Sequence, residues 1–167
     1  EFGPPTEKKG GDCNYTNTQI SAAIQKASKK YGIPTSLLNA IYEIEGLEFI
    51  VSPETYVCSK NYAKAAGLMQ IPDETYTLVT CPSERYSDDV GVCYQKANKL
   101  SRCNVEDVFE LAARVLMLKV GAWNTYTCSP TDKFTTDPFV AYRATCAYYG
   151  SCKPDMLTAQ YDYNLPC

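Results

Sequence analysis

Glu45 is the residue in this chain whose type and setting most directly suggest chemistry. Set on a helix at about 100° per residue, Leu37, Leu38, Ile41 and Ile44 fall within one apolar arc. Glu45 falls inside that arc, beside Leu38 and Ile41, whereas Glu43 points the opposite way. A carboxyl carried on an apolar face is desolvated, and desolvation penalises the charged form, so its pKa rises. A Glu kept protonated near neutral pH can act as a general acid, the usual means of protonating the leaving oxygen in glycosidic cleavage. The competing structural reading is that Glu45 reaches solvent past Gly46 at the helix end, and helix phase alone leaves both open.

The remaining residue types narrow the chemistry further. The chain has no histidine, which removes Ser-His-Asp and Cys-His catalysis and leaves carboxylates, tyrosines and amides to do any work. Nine cysteines (Cys13, Cys58, Cys81, Cys93, Cys103, Cys128, Cys146, Cys152 and Cys167) include no Cys-x-x-Cys pair. Without histidine the mixed Cys/His zinc sites are also excluded, so no metal and no cofactor are expected. Disulfides formed in an oxidising compartment are the better reading. The odd count leaves at least one thiol unpaired or paired between chains, and Cys146 with Cys152 could close a short ring.

Beyond Glu45 stands a second stretch, Ala66-Gly67-Leu68-Met69-Gln70-Ile71, followed by Pro72 and Thr75. A helix carrying Ala40-Ile41 and ending in Glu45, then a polar segment, then Gly-Leu-Met-Gln-Ile, resembles the catalytic core of the soluble lytic transglycosylases and their goose-type lysozyme relatives. The resemblance implies a mainly α, lysozyme-like helical single domain stapled by disulfides, with Glu45 as the catalytic acid. It implies that Gly67, Leu68, Met69, Gln70 and Ile71 line the sugar cleft. A helix-end tyrosine is carried over to Tyr148, in Ala147-Tyr148-Tyr149-Gly150, with Tyr142 of Ala141-Tyr142 as the fallback. Two positions depart from the family pattern: Gly46 stands where Ser is usual and Tyr149 where Asn is usual.

The activity so implied is cleavage of the β-1,4 bond between N-acetylmuramic acid and N-acetylglucosamine in peptidoglycan without water, giving 1,6-anhydro ends, with one Glu as acid and base. The partner is then a peptidoglycan glycan strand, the location secreted, periplasmic or cell-envelope, and a place in a larger envelope assembly is compatible with it. Two alternatives stand beside this. A hydrolase on the same scaffold needs a second carboxylate, for which Glu48, Glu54, Asp73 and Glu74 are the candidates. A non-catalytic glycan-binding or scaffold domain would account for the departures at Gly46 and Tyr149.

The elements that must position these residues follow from pattern. At 167 residues with 45% hydrophobic and 21% charged, the chain suffices for one globular domain. A net charge of −3 and no basic run beyond Lys8-Lys9 and Lys29-Lys30 exclude nucleic-acid binding. No apolar stretch is long enough to span a membrane or serve as a signal peptide, and with no starting Met the chain reads as a mature or excised piece of a longer product. Residues 1–15 read as a flexible lead-in and 16–167 as the domain.

Thr16 or Asn17 caps a first helix carrying Ile20, Ala23, Ile24 and Ala27 and stopping at Tyr31-Gly32. Pro34-Thr35 opens the Glu45 helix, and Leu47 to Asn61 reads as a loop over the cleft. Pro72 is placed at the first position of a short helix through Val79, and Asp88 or Asp89 starts another through Lys99. Asn104 caps a central core helix with an apolar stripe from Val105 to Val120, stopped at Gly121. A loop with Trp123, Tyr126, Cys128 and Pro130 offers aromatics either to sugar faces or to a local cluster. Asp137-Pro138 starts a helix to Tyr148 or Tyr149, and Pro154-Asp155 a final one. Almost no strand signal appears.

Overall fold

Thr16 starts the first helix with a reciprocal cap. Its hydroxyl accepts from the Gln19 backbone N–H at 3.2 Å, while the Gln19 side-chain oxygen accepts from the Thr16 N–H at 2.8 Å. Helix α1 then runs Asn17–Tyr31 and stops at Gly32, whose φ of 67° is the left-handed conformation that glycine takes without strain. A computed structural model describes residues 15–52, 58, 60–80 and 100–148 of the chain.

The centre of the molecule is α5 (Val105–Lys119). Asn104 caps it by accepting from the Glu106 and Asp107 N–H groups at 3.0 and 3.1 Å. Every residue from Leu111 to Met117 is buried, so the helix is covered on all sides rather than along one stripe. It touches α1, α2 (Thr35–Glu45), α4 (Asp73–Val79), α6 (Pro138–Tyr148) and strand β3 (Trp123–Asn124). Lys26 meets Glu106 at 3.1 Å and Lys30 meets Glu110 at 2.5 Å. Both members of these rungs advance by four residues in the same sense, so α1 and α5 lie side by side and parallel.

Two short antiparallel hairpins complete the described fold. Strands β1 (Ala65–Ala66) and β2 (Ile71–Pro72) pair Ala65 with Pro72 and Ala66 with Ile71. Strands β3 and β4 (Ser129–Pro130) pair Trp123 with Pro130 and Asn124 with Ser129. Cys58 is bonded to Cys103 across 45 residues, which ties the chain ahead of the first hairpin to the start of α5. Cys128 and Cys146 are disulfide-bonded as well, and no cysteine among the described residues is free. No helix among the described residues is long and apolar enough to cross a membrane.

The structure corrects the sequence reading in several places. The start of the expected loop is a short helix, α3 (Leu47–Val51), because the chain turns at Gly46 and buries Phe49 on the next turn. The segment from Trp123 to Pro130 is a hairpin, closed by Asn124, whose side chain accepts from the Tyr126 and Thr127 N–H groups at 2.8 and 3.0 Å. Pro72 lies one position earlier than expected, ending β2 with extended backbone before α4 begins. Tyr15, the first described residue, is half-buried against the core. The expected helices from Asp88 and Pro154, Tyr149, the stop at Gly150, the Cys152 half of the expected Cys146–Cys152 ring and residues 1–14 lie outside the described residues.

Candidate active site

Helix α2 faces the core through Leu38 and Ile41, both fully buried. One turn beyond Ile41, on the same side, comes Glu45, the last residue of the helix. It is half-buried, and among the described residues no hydrogen bond or ion pair meets its carboxylate. With desolvation unopposed, burial lifts the carboxyl from its ordinary value of 4.5 to about 7. Glu43 on the opposite side is exposed. The expected arc is narrower than drawn: Leu37 is half-buried and Ile44 is 59% exposed, because the helix reaches the core along its Leu38–Ile41 edge only.

Gly46 follows, and its missing side chain is occupied space. A Cβ built there would lie 2.6 and 2.7 Å from ring atoms of Tyr42. That ring is held in turn by an edge-on contact with Phe109 of α5, with centroids 5.6 Å apart. Glycine rather than serine at this position is therefore a packing consequence of Tyr42.

The second stretch forms the tip of the β1–β2 hairpin, with Gly67 to Gln70 as its turn. Gly67 has φ 79°, and a Cβ on it would stand 2.0 Å from the Arg102 carbonyl oxygen, so only glycine fits. Arg102, 2% exposed, holds the hairpin from beneath. Its guanidinium donates to the Ile71 carbonyl at 2.7 Å and to Asp73 at 2.8 Å, and it stacks over the Tyr76 ring at 4.8 Å. Lys60 reaches the other Asp73 oxygen at 2.9 Å. Those two cations keep the Asp73 carboxyl below its ordinary range, although burial works against them.

Met69, Leu68, Gly67 and Ile71, expected at the cleft, are buried. The turn presents only Gln70, which is half-buried with φ 47°. Tyr148, at the end of α6, donates its hydroxyl to the Met69 carbonyl at 2.8 Å. Sequence reasoning placed both residues in one site, and the structure joins them directly, tyrosine to backbone. Tyr142 is six residues earlier, on a different side of α6, in an open groove of about 630 Å³ that also includes Leu37 and Phe134.

Trp123 is 7% exposed and packs edge-on to Tyr31 and beneath the Arg114 guanidinium, so it is a core residue and not a platform for sugars. Of the second-carboxylate candidates, Asp73 is committed to Arg102 and Lys60, Glu48 and Glu74 are exposed, and Glu54 lies outside the described residues. The sequence reading missed Arg102 and Asn61. Nothing about an arginine beside a half-cystine marks it as buried, but Asn61 two residues before Ala63 is an ordinary side-chain-to-backbone turn signature. No known protein family, no curated protein and no solved structure matches the chain.

Proposed function

We propose that this chain is a peptidoglycan lytic transglycosylase in which Glu45 is both acid and base. The reading takes its substrate from the resemblance of the Glu45 helix and the Gly67–Ile71 stretch to that family. The observation that carries the chemistry is the half-buried Glu45 carboxyl, which has no partner among the described residues and whose pKa is raised to about 7. A group with that pKa is substantially protonated at neutral pH and regains the proton easily, the two properties that a single acid/base must combine.

In the proposed reaction Glu45 donates its proton to the glycosidic oxygen as the bond from that oxygen to C1 of the muramoyl residue breaks. The 2-acetamido oxygen of the same residue stabilises the cationic C1. The Glu45 carboxylate then takes the proton of the 6-hydroxyl as O6 bonds to C1, which closes the 1,6-anhydro ring and restores the acid. No water enters. Hydrolysis would need a second carboxylate free to act as base or nucleophile, and the pairing of Asp73 with two cations takes one candidate out of that role.

Digestion of peptidoglycan with mass detection of the products tests the proposal. Anhydro products, one water lighter than hydrolysed ones, are expected from the parent and not from Glu45→Gln. Reducing ends would transfer the assignment to a hydrolase, and no cleavage of glycans of several compositions would leave a binding module.

A further inference from the structure

The hairpin turn offers one polar side chain, Gln70, and its carboxamide is held at both ends. The chain of constraint begins at Asn61. The Asn61 Oδ1 accepts from the backbone N–H groups of Ala63 at 2.9 Å and Ala65 at 3.0 Å. Two backbone donors converging on one atom fix which end of the Asn61 amide is oxygen, because the reverse would set its NH₂ against both. The Asn61 Nδ2 is thereby aimed at Gln70 and donates to Oε1 at 2.9 Å. Gln70 must then turn its own NH₂ the other way, where Nε2 donates to the Gly67 carbonyl at 2.9 Å. Direction passes in this way from the backbone of β1 through Asn61 to Gln70. A carboxamide has two N–H donors and two lone-pair sites on its oxygen, so one donor and one acceptor of Gln70 are left over in a set order.

We propose that Asn61 is a positioning residue for glycan recognition, fixing the sense of the Gln70 carboxamide so that the turn presents a donor and an acceptor to an acetamido group of an N-acetylated sugar. This rests on the glycan-cleaving reading above. The acetamido group carries the complementary pair, one N–H and one carbonyl, both neutral. A Gln70 amide free to rotate would have to be ordered by each incoming sugar, and ordering a side chain weakens binding.

Asn61→Asp is the discriminating variant. It keeps an oxygen for the Ala63 and Ala65 N–H groups, so the turn survives, but it sets an acceptor against the Gln70 Oε1. The first readout needs no substrate. In nitrogen-15 spectra the Gln70 side-chain amide protons should be exchange-protected in the parent and lose that protection in Asn61→Asp. The second is a double-mutant cycle. Asn61→Asp should weaken glycan use about tenfold, chiefly through KM, the size of one oriented hydrogen bond. In a Gln70→Ala background it should have no further effect.

Unchanged Gln70 amide protection, or an equal loss with and without Gln70, overturns the proposal. Should Asn61→Asp lose its fold, Asn61→Ser, which keeps an acceptor and lacks the NH₂, is read in the same two ways. Should the parent cleave no glycan, the enzymatic reading falls. The cycle is then read on binding of chitotetraose, and absence of binding overturns this proposal as well.

Discussion

Glu45 and Glu43 are two residues apart on one helix, yet only Glu45 is turned toward the apolar side. Burial disfavours its charged form, so the folded state holds the Glu45 proton up to about pH 7, against an ordinary value of 4.5. The linked stability is fully present below the ordinary value and is lost as pH rises through about 7. Glu45→Gln, uncharged throughout, should escape that loss, so the melting temperature of the variant relative to the parent is expected to climb between about pH 5 and pH 7. Turnover should fall on the alkaline side of the same value in the parent, and by a hundredfold or more at all pH values in Glu45→Gln. Glu43→Gln should leave both curves in place. Tyr148→Phe removes the donor to the Met69 carbonyl, at a cost of about 1 kcal/mol, and the chemical-denaturation midpoint should register it together with slower turnover. The placement of Glu45 was legible because helix phase is a local property. The exposure of Ile44 was not, because helix phase does not say how much of an apolar arc the neighbouring elements cover.

At the scale of elements, the Gly67–Gln70 turn is the piece that must keep its shape. A methyl group at Gly67 would meet the Arg102 carbonyl and would also require a left-handed backbone that alanine avoids. Gly67→Ala should therefore destabilise by roughly 3 kcal/mol or more in urea titration, and shift the Gln70 amide signals even under native conditions. The string from Gly67 to Ile71 stood out in the sequence, but the reasons for its shape did not. Arg102 arrives from 29 residues beyond Asp73 and donates to the Ile71 backbone carbonyl, which no residue pattern encodes. Helix ends were legible for the opposite reason: Thr16 with Gln19, Asn104 with Asp107 and Asp137 with Phe139 close over two or three residues. The same contrast explains Trp123, whose aromatic side chain reads identically whether it faces sugar or core until Tyr31 and Arg114 are seen against it.

Ties between residues far apart in the sequence hold the elements to one another. Glu110 is met by Lys30 at 2.5 Å, the Tyr31 hydroxyl at 3.0 Å and Arg114 at 3.2 Å, and Arg114 goes on to donate to the Val79 carbonyl at 3.0 Å. This group, with Lys30 at its exposed edge, joins α1, α4 and α5. Its partners hold the Glu110 carboxyl below its ordinary value despite burial. The Cys58–Cys103 bond closes 45 residues, and by loop-closure entropy a loop of that size is stabilised by about 4 kcal/mol. Replacing both cysteines by serine should lower the unfolding free energy by about 3–4 kcal/mol, measurable as a shift of the denaturant midpoint.

The parallel arrangement of α1 and α5 also bears on how the chain finds its fold. Antiparallel neighbours can zip together from a tight turn, whereas these helices are joined by salt bridges between residues 80 positions apart, with α2, α3, the first hairpin and α4 strung between. Loop-closure cost grows with the logarithm of length, and non-local contacts of this kind slow the search for the native topology. The Cys58–Cys103 bond lies wholly inside that intervening stretch and short-circuits more than half of it. A bond made for the resting structure thus also shortens the path to it, and places the chain's fastest assembly in an environment that can oxidise thiols before its central helices meet.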